Sequence, residues 1–340
     1  MVNVGLIGLG FMGVTHFKGY KNIQNARMVA ICDSIDKRLT GDWRDIKGNI
    51  GDSGGVQDLT GIATYKDVDR LLADPNVQLV DICLPTGAHR DVSIRALQAD
   101  KHVICEKPIS AALKDADAMV AAAKKAKTHL FIAQVVRFWP EFKFAAECVA
   151  DGRYGKLRGA HLRRVISQPD WLVGDWLASA KASGGPLIDL HIHDSDFIVH
   201  AIGMPKRVSS QGIVSKGVVT YVVTEYSFGL KGPVITAQSG AVATKGLCFE
   251  HGYDFYFENG TLQFNSRMGF PLTLWKPDGT SEKVDLSGYE DGYVAELHHA
   301  VDVVDGKAPK NLLTATSSRN GLKLTLAEGK SAMTGKPVTV

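Results

Sequence analysis

The segment GGPLIDLHIHDSD, residues 184–196, sets Asp189, His191, His193, Asp194 and Asp196 close together. What these groups can do depends on the backbone that carries them. In a strand, alternate side chains share a face, so His191 and His193 could grip one metal ion. In a helix, at about 100° per residue, the two rings point roughly 160° apart and cannot. The flanks select the helix. Pro186 suits a first helical position after two glycines. Gly203 suits a left-handed stop, with Pro205 soon after. Leu187, Ile188, Leu190, Phe197, Ile198, Ala201 and Ile202 keep helical spacing. No metal site is therefore expected here. The helix gathers Asp189, His193, Asp196 and His200 into a stripe about 60° wide. His193 suits proton transfer, since an imidazole with a reference pKa of about 6.5 can take and return a proton. His191 falls on the opposite, largely apolar side and reads as a core histidine. Asp196 reads as structural.

Two further stretches could do chemistry. In HVICEKP, Glu106, Lys107 and Pro108 stand at the carboxyl end of an expected strand. In open parallel sheets that edge binds ligands. A lysine there could hold a substrate hydroxyl and favour its alkoxide; it could equally be a surface lysine before a turn proline. In GLIGLGFMG, Gly8, Gly10 and Gly13 form GxGxxG between a strand and a helix. The first permits a tight turn, the second lets backbone approach a pyrophosphate, and the third lets helix pack on strand. The helix N-terminus offers N–H groups to the phosphates. Asp33, twenty residues after Gly13, ends the second strand, where a ribose-binding acid belongs. It would accept hydrogen bonds from the ribose of NAD and repel the 2′-phosphate of NADP, while Lys37 and Arg38 keep NADP open. Gly329-Lys330-Ser331 is no P-loop, because Leu324 stands where that motif needs glycine.

The elements that must position these groups fall into two domains, 1–134 and 135–340. In the first, apolar runs at 2–7, 27–33, 78–85, 102–106 and 129–134 alternate with helical patterns at 92–99 and 115–126. That alternation implies a doubly wound parallel sheet with helices on both faces. The glycine-rich stretch 41–61 has no clear period and is long for a loop, so it is expected to be mobile or functional. The second domain reads as α+β. Helices are expected at about 141–151, 186–202, 290–304 and 315–331, around a β-rich region from 206 to 286 that forms a large, mostly antiparallel open sheet. Asn259-Gly260 and Asp278-Gly279 signal hairpins.

Composition narrows the function classes. The chain has 340 residues and a net charge of +3, too small to argue for nucleic acid or an anionic membrane. No apolar run approaches the roughly 20 residues of a membrane helix. The N-terminus has no basic leader, so no signal peptide is expected. Cys32, Cys83, Cys105, Cys148 and Cys248 are scattered and form no CxxC, as suits reduced cysteines in the cytoplasm.

Taken in order, GLIGLGFMG, DICLPTGAH, HVICEKP, GGPLIDLHIHDSD and GKSAMTGKPV resemble the motifs of the glucose–fructose oxidoreductase / inositol dehydrogenase / rhizopine catabolism (Gfo/Idh/MocA) family. The likeness runs nearly end to end. It implies a Rossmann domain, a second domain with an open sheet, and NAD(P)-dependent oxidation or reduction of a sugar or polyol. It carries the family's catalytic trio onto Lys107, Asp189 and His193, and a cis bond onto Lys107-Pro108. Cofactor contacts are expected from Gly8, Gly10, Phe11, Met12, Gly13, Asp33, Ser34, Arg38, Leu84, Pro85, Thr86, His89, Glu106, Lys107 and Pro108. Arg137 and Trp176 are candidate substrate contacts, with Trp139 and Trp171 as further aromatics. The expected partners are a small carbohydrate or polyol and further copies of the chain, as a homodimer or homotetramer. Three other readings stand beside this one. The first is a tightly held cofactor recycled in glycoside cleavage or epimerisation. The second is a non-catalytic nucleotide-binding regulator. The third is a metal hydrolase using HxH, which would need a strand at 189–193.

Overall fold

The computed structural model describes residues 1–48, 54–167, 184–267 and 269–340. The chain divides into two compact units. One comprises Met1–Val135 and Asp291–Arg319; the other comprises Val136–Glu290 and Asn320–Val340. The stretch 291–319 thus joins the first unit, although its place in the sequence assigns it to the second domain.

In chain order the first unit begins β1 (Val2–Ile7), α1 (Phe11–Tyr20), β2 (Ala26–Cys32), β3 (Ala63–Tyr65), α2 (Val68–Leu72) and β4 (Leu79–Ile82). It continues α3 (Thr86–Gln98), β5 (His102–Glu106), α4 (Leu113–Lys125) and β6 (Leu130–Ala133). The strands form one sheet in the order β3-β2-β1-β4-β5-β6, and every pair is parallel. Strand order reverses at β1, so the carboxyl ends of β1 and β4 flank a topological switch point, where such sheets bind ligands. Leu79, Val80 and Ile82 of β4 and Val103, Ile104 and Cys105 of β5 are fully buried, which explains why these strands read as continuous apolar runs. The expected strand 78–85 stops at Ile82, and the helix after it starts at Thr86, not at Val92.

Trp43 anchors the described parts of 41–61. It is fully buried, stacks edge-on against Phe17 at 4.9 Å, and donates its indole N–H to the Arg38 carbonyl at 2.6 Å. The Trp43 and Gln57 N–H groups bond the Gly55 and Gly41 carbonyls at 2.8 and 2.9 Å. Gly41, at φ +83°, lies so close to this partner that a Cβ would sit 2.3 Å from the Gln57 oxygen.

The second unit holds α5 (Pro140–Asp151), β7 (Leu157–Ser167), a π-helical turn (Leu187–His191) and α6 (Ile192–Ala201). Then come β8 (Arg207–Ser215), β9 (Val218–Ser227), β10 (Val234–Ala243), β11 (Glu250–Phe257), β12 (Gly260–Asn265), β13 (Phe270–Trp275) and β14 (Ser281–Lys283). The chain closes with α7 (Gly292–Val304), α8 (Ala315–Thr334) and β15 (Val338–Thr339). Of these, α7 belongs to the first unit and packs on α1, where a Cβ on Gly19 would lie 3.1 Å from Leu297. The nine-stranded sheet runs β14-β13-β12-β11-β7-β10-β9-β8-β15. It is antiparallel except where β7 pairs with β10. β7, not anticipated from the sequence pattern, supplies this parallel step. The β11–β12 hairpin closes with Phe257 opposite Gly260, so Glu258-Asn259 form its tip. No described helix is long and apolar enough to cross a membrane.

Candidate active site

In the first unit the three glycines of the loop have three separate reasons to be glycine. Gly8 has φ +91°, and a Cβ there would lie 2.5 Å from the Cys83 carbonyl oxygen. A Cβ on Gly13 would lie 1.9 Å from the Gly8 oxygen, so α1 sits directly on the turn. A Cβ on Gly10 would meet nothing within 4 Å. Gly10 therefore leaves space that the fold does not use, at the N-terminus of α1, the end of a helix that suits an anion. Asp33 is 7% exposed and already oriented. Its Oδ2 accepts the Leu9 N–H at 2.7 Å and Arg38 Nη1 at 3.2 Å, and its Oδ1 accepts the Ile35 N–H at 2.9 Å. The acid thus ties the second strand to the glycine loop. Phe11 and Met12 are half-buried, and Ser34 is exposed. Gly48 lies on the Phe11 ring, where a Cβ would be 2.0 Å from its carbons.

At the ends of β4 and β5, Leu84 and Pro85 are accessible and Thr86 begins α3. His89 lies inside the fold. It is 1% exposed, and its ring nitrogens lie 2.8 Å from the Leu84 and Pro108 carbonyl oxygens. Burial pushes its imidazolium below the usual value. His89 thus lies between the carbonyls that follow β4 and β5. The Lys107–Pro108 peptide is cis, and Lys107 is half-buried. Its N–H donates to Glu106 Oε2 at 3.0 Å. The other Glu106 oxygen lies 3.1 Å from His16 Nε2, and His16 Nδ1 lies 2.9 Å from Asp81 Oδ2. Burial alone would lower His16, but Asp81 and Cys83 hold its imidazolium well above the ordinary value. Burial works against the Glu106 carboxylate, yet His16 holds it below the usual range. His16, Asp81 and Glu296 are absent from the sequence-derived site. Their signal is a charged residue inside an apolar pattern: Asp81 in the strand LVDI, and Glu296 beside Leu297 in α7.

In the second unit the segment 187–201 is helical, with one π-turn before α6. Its polar groups separate by exposure. Asp189, His193 and His200 are half-buried, whereas His191, Asp194 and Asp196 are fully buried. His191 is internal as expected, but its surroundings are polar rather than apolar. Its Nε2 lies 2.7 Å from Glu328 Oε2, which also accepts Ser195 Oγ at 2.8 Å. Burial would lower His191, but Glu328 raises it. Arg164 reaches Asp194, Nη2 to Oδ1 at 3.0 Å. Asp196 leaves the expected stripe to bind Arg137, Nε to Oδ2 at 2.7 Å and Nη2 to Oδ1 at 2.6 Å. Arg137 is 3% exposed, so the guanidinium expected at substrate is engaged in a buried ion pair. Gly321 and Gly329 of α8 allow close approach: a Cβ would lie 3.0 Å from Asp196 Oδ1 and 2.5 Å from Leu187 Cδ2 respectively. Trp139 is near His251, ring centroids 4.6 Å apart, and packs within the unit. Trp171 and Trp176 lie outside the described residues.

Sequence comparison agrees with this architecture. Residues 2–134 match an oxidoreductase family with an NAD-binding Rossmann fold, and residues 142–263 match the Gfo/Idh/MocA C-terminal domain. The chain belongs to the Gfo/Idh/MocA oxidoreductase family, and its first unit is an NAD-binding Rossmann domain. Among curated proteins it is 36% identical to myo-inositol 2-dehydrogenase of Thermotoga maritima over 202 residues, 59% of this chain and 55% of that one. The match thus spans little more than half of that relative's length. It is 31% identical to D-apiose dehydrogenase of Paraburkholderia graminis, covering 86% of this chain and 69% of that one. Among solved structures, levoglucosan dehydrogenase in complex with NADH and levoglucosan superposes with TM-score 0.83 at 21% identity, over 100% of this chain and 99% of that one. That likeness is one of fold.

Proposed function

We propose that the protein is an NAD-dependent dehydrogenase acting on a secondary alcohol of a sugar, polyol or inositol-like substrate. The observation that carries this reading is the selective exposure in 189–196. Three of its five ionisable side chains are locked in buried ion pairs, while Asp189 and His193, one turn apart, retain access. His193 takes the hydroxyl proton. Lys107 holds the same hydroxyl and stabilises its developing negative charge, and Asp189 orients substrate or imidazole. Nicotinamide, when bound, supplies the hydride acceptor. Gly8, Gly10 and Gly13 form its phosphate cradle and Asp33 its ribose acceptor, which favours NAD over NADP. The names of the relatives, inositol, apiose and levoglucosan dehydrogenases, support the substrate class. Exposed apolar side chains on the large sheet, among them Val234, Phe270 and Trp275, support self-association as a homodimer or homotetramer. Free cysteines without disulfides suit the cytoplasm.

The test is a screen of sugars, polyols and their acids with NAD and NADP, read by absorbance of the reduced cofactor. On the substrate found, Lys107→Met and His193→Asn should each lower kcat/KM by about 10²–10⁴-fold. Asp33→Ala should shift the NAD/NADP preference by about 10- to 150-fold, the worth of hydrogen bonds to a charged group. Full turnover in the Lys107 and His193 variants would remove the assignment. Cofactor retained through purification with no net reduction would favour the redox-neutral reaction instead.

A further inference from the structure

Within the first unit, four ionisable side chains from distant parts of the chain converge in the interior. His16 comes from α1, Asp81 from β4, Glu106 from β5 and Glu296 from α7, and they are 0, 0, 6 and 0% exposed. One imidazole faces three carboxylates. Burying a carboxylate costs several kcal/mol unless it is paired and hydrogen-bonded. Asp81 and Glu106 have their partners. Glu296 does not: neither of its oxygens has a hydrogen-bond partner among the described residues, and its ion contact is His16 Nε2, 3.9 Å from Oε1.

The arrangement has the form of a metal site. His16 Nδ1 is engaged by Asp81 Oδ2 at 2.9 Å, and Nε2, which has no hydrogen-bond partner among the described residues, lies 3.1 Å from Glu106 Oε1 and 3.9 Å from Glu296 Oε1. One atom each from His16, Glu106 and Glu296 lie within 4.8 Å of one another. Metal-binding histidines usually give their second ring N–H to a carboxylate, and Asp81 stands in that position. Bonds of about 2.0–2.2 Å to a tetrahedral ion separate its donors by roughly 3.3–3.6 Å, between the two separations found here. A small rotation of Glu296 would complete the set. We propose that His16, Glu106 and Glu296 bind a divalent cation of the zinc class, with Asp81 orienting the imidazole. One imidazole with two carboxylates suits zinc better than magnesium, which prefers oxygen ligands and retained water. Charge balance agrees. With a neutral imidazole the four side chains carry three negative charges, and one divalent cation reduces this to one. Two added protons would do the same, so protons are the competing occupant. Because Glu106 Oε2 accepts the Lys107 N–H at 3.0 Å, an ion on Oε1 would also fix the backbone at Lys107. The site does not depend on the hydride-transfer reading.

The full-length protein is stripped with a chelator, equilibrated with zinc chloride, desalted and measured for metal content, and its Tm is followed against zinc and magnesium. The expected result is one zinc per chain and a saturable rise in Tm with zinc only. Asp81→Asn should weaken zinc binding by about 10- to 100-fold. Glu296→Gln, which keeps the side chain's shape, should lose stoichiometric uptake. Failure of the stripped wild-type protein to take up zinc at micromolar concentration would overturn the site and assign the balancing charge to protons. Uptake unchanged by Glu296→Gln would overturn it by placing the zinc elsewhere.

Discussion

Arg137 and Asp196 meet in two near-parallel hydrogen bonds of 2.7 and 2.6 Å, with side chains 1% and 2% exposed. Each is the answer to the other's buried charge. Removing one partner strands the other, at a cost of about 3–5 kcal/mol. Asp196→Asn and Arg137→Met should each lower stability by about that amount in urea unfolding. The double variant should recover most of the loss, because no charge is then left unpaired. Equal losses that simply add would show that the pair is not coupled.

The glycine loop separates folding from binding. Gly13→Ala must push a methyl group against the Gly8 carbonyl and should cost about 1–3 kcal/mol of stability. Gly10→Ala meets only open space and should stay within about 0.5 kcal/mol of the parent. It should still weaken NAD binding by about tenfold or more, equivalent to about 1.4 kcal/mol. Calorimetric titration with NAD, paired with thermal melts, checks both outcomes.

His191 gives the second unit a pH-dependent contribution. Glu328 raises its imidazolium value in the folded chain above the unfolded reference of about 6.5. The native state therefore binds more protons at neutral pH. The stabilisation is fully present below about pH 6.5 and is lost as pH rises through the folded value. Wild-type unfolding free energies from urea titrations should fall from pH 6 upward relative to those of His191→Asn, by at most about 1.36 kcal/mol per pH unit. Parallel profiles would show that His191 carries no such proton.

Much of this was legible in the residue pattern. β5 occupies residues 102–106 as read, because a strand buried on both faces is a plain apolar run. The cap signals around Pro186 and Gly203 were enough to choose helix over strand and so to part His191 from His193. Periodicity alone does not reveal the π-turn, which depends on how 187–191 packs against β9, β10 and α8. β7 was hidden because LRGAHLRRVIS places Arg164 on its inward face, and that arginine is acceptable there only because Asp194 waits for it. The same limit conceals the His16 cluster. Its members are separated by tens to hundreds of positions, and only the assembled sheet with α7 brings them together.

The return of α7 to the first unit also sets an order of events during synthesis. α1 is made early, but the helix that covers it, and that brings Glu296 to His16, lies beyond the whole of 136–290. At about 5–20 residues per second, α1 waits roughly 15 to 60 s for its partner. Through that interval the nascent first unit carries an uncovered helix face that includes His16 and Gly19. A chain that stalls or is cut before residue 292 presents that face to chaperones and proteases, even with all six strands of its sheet already made.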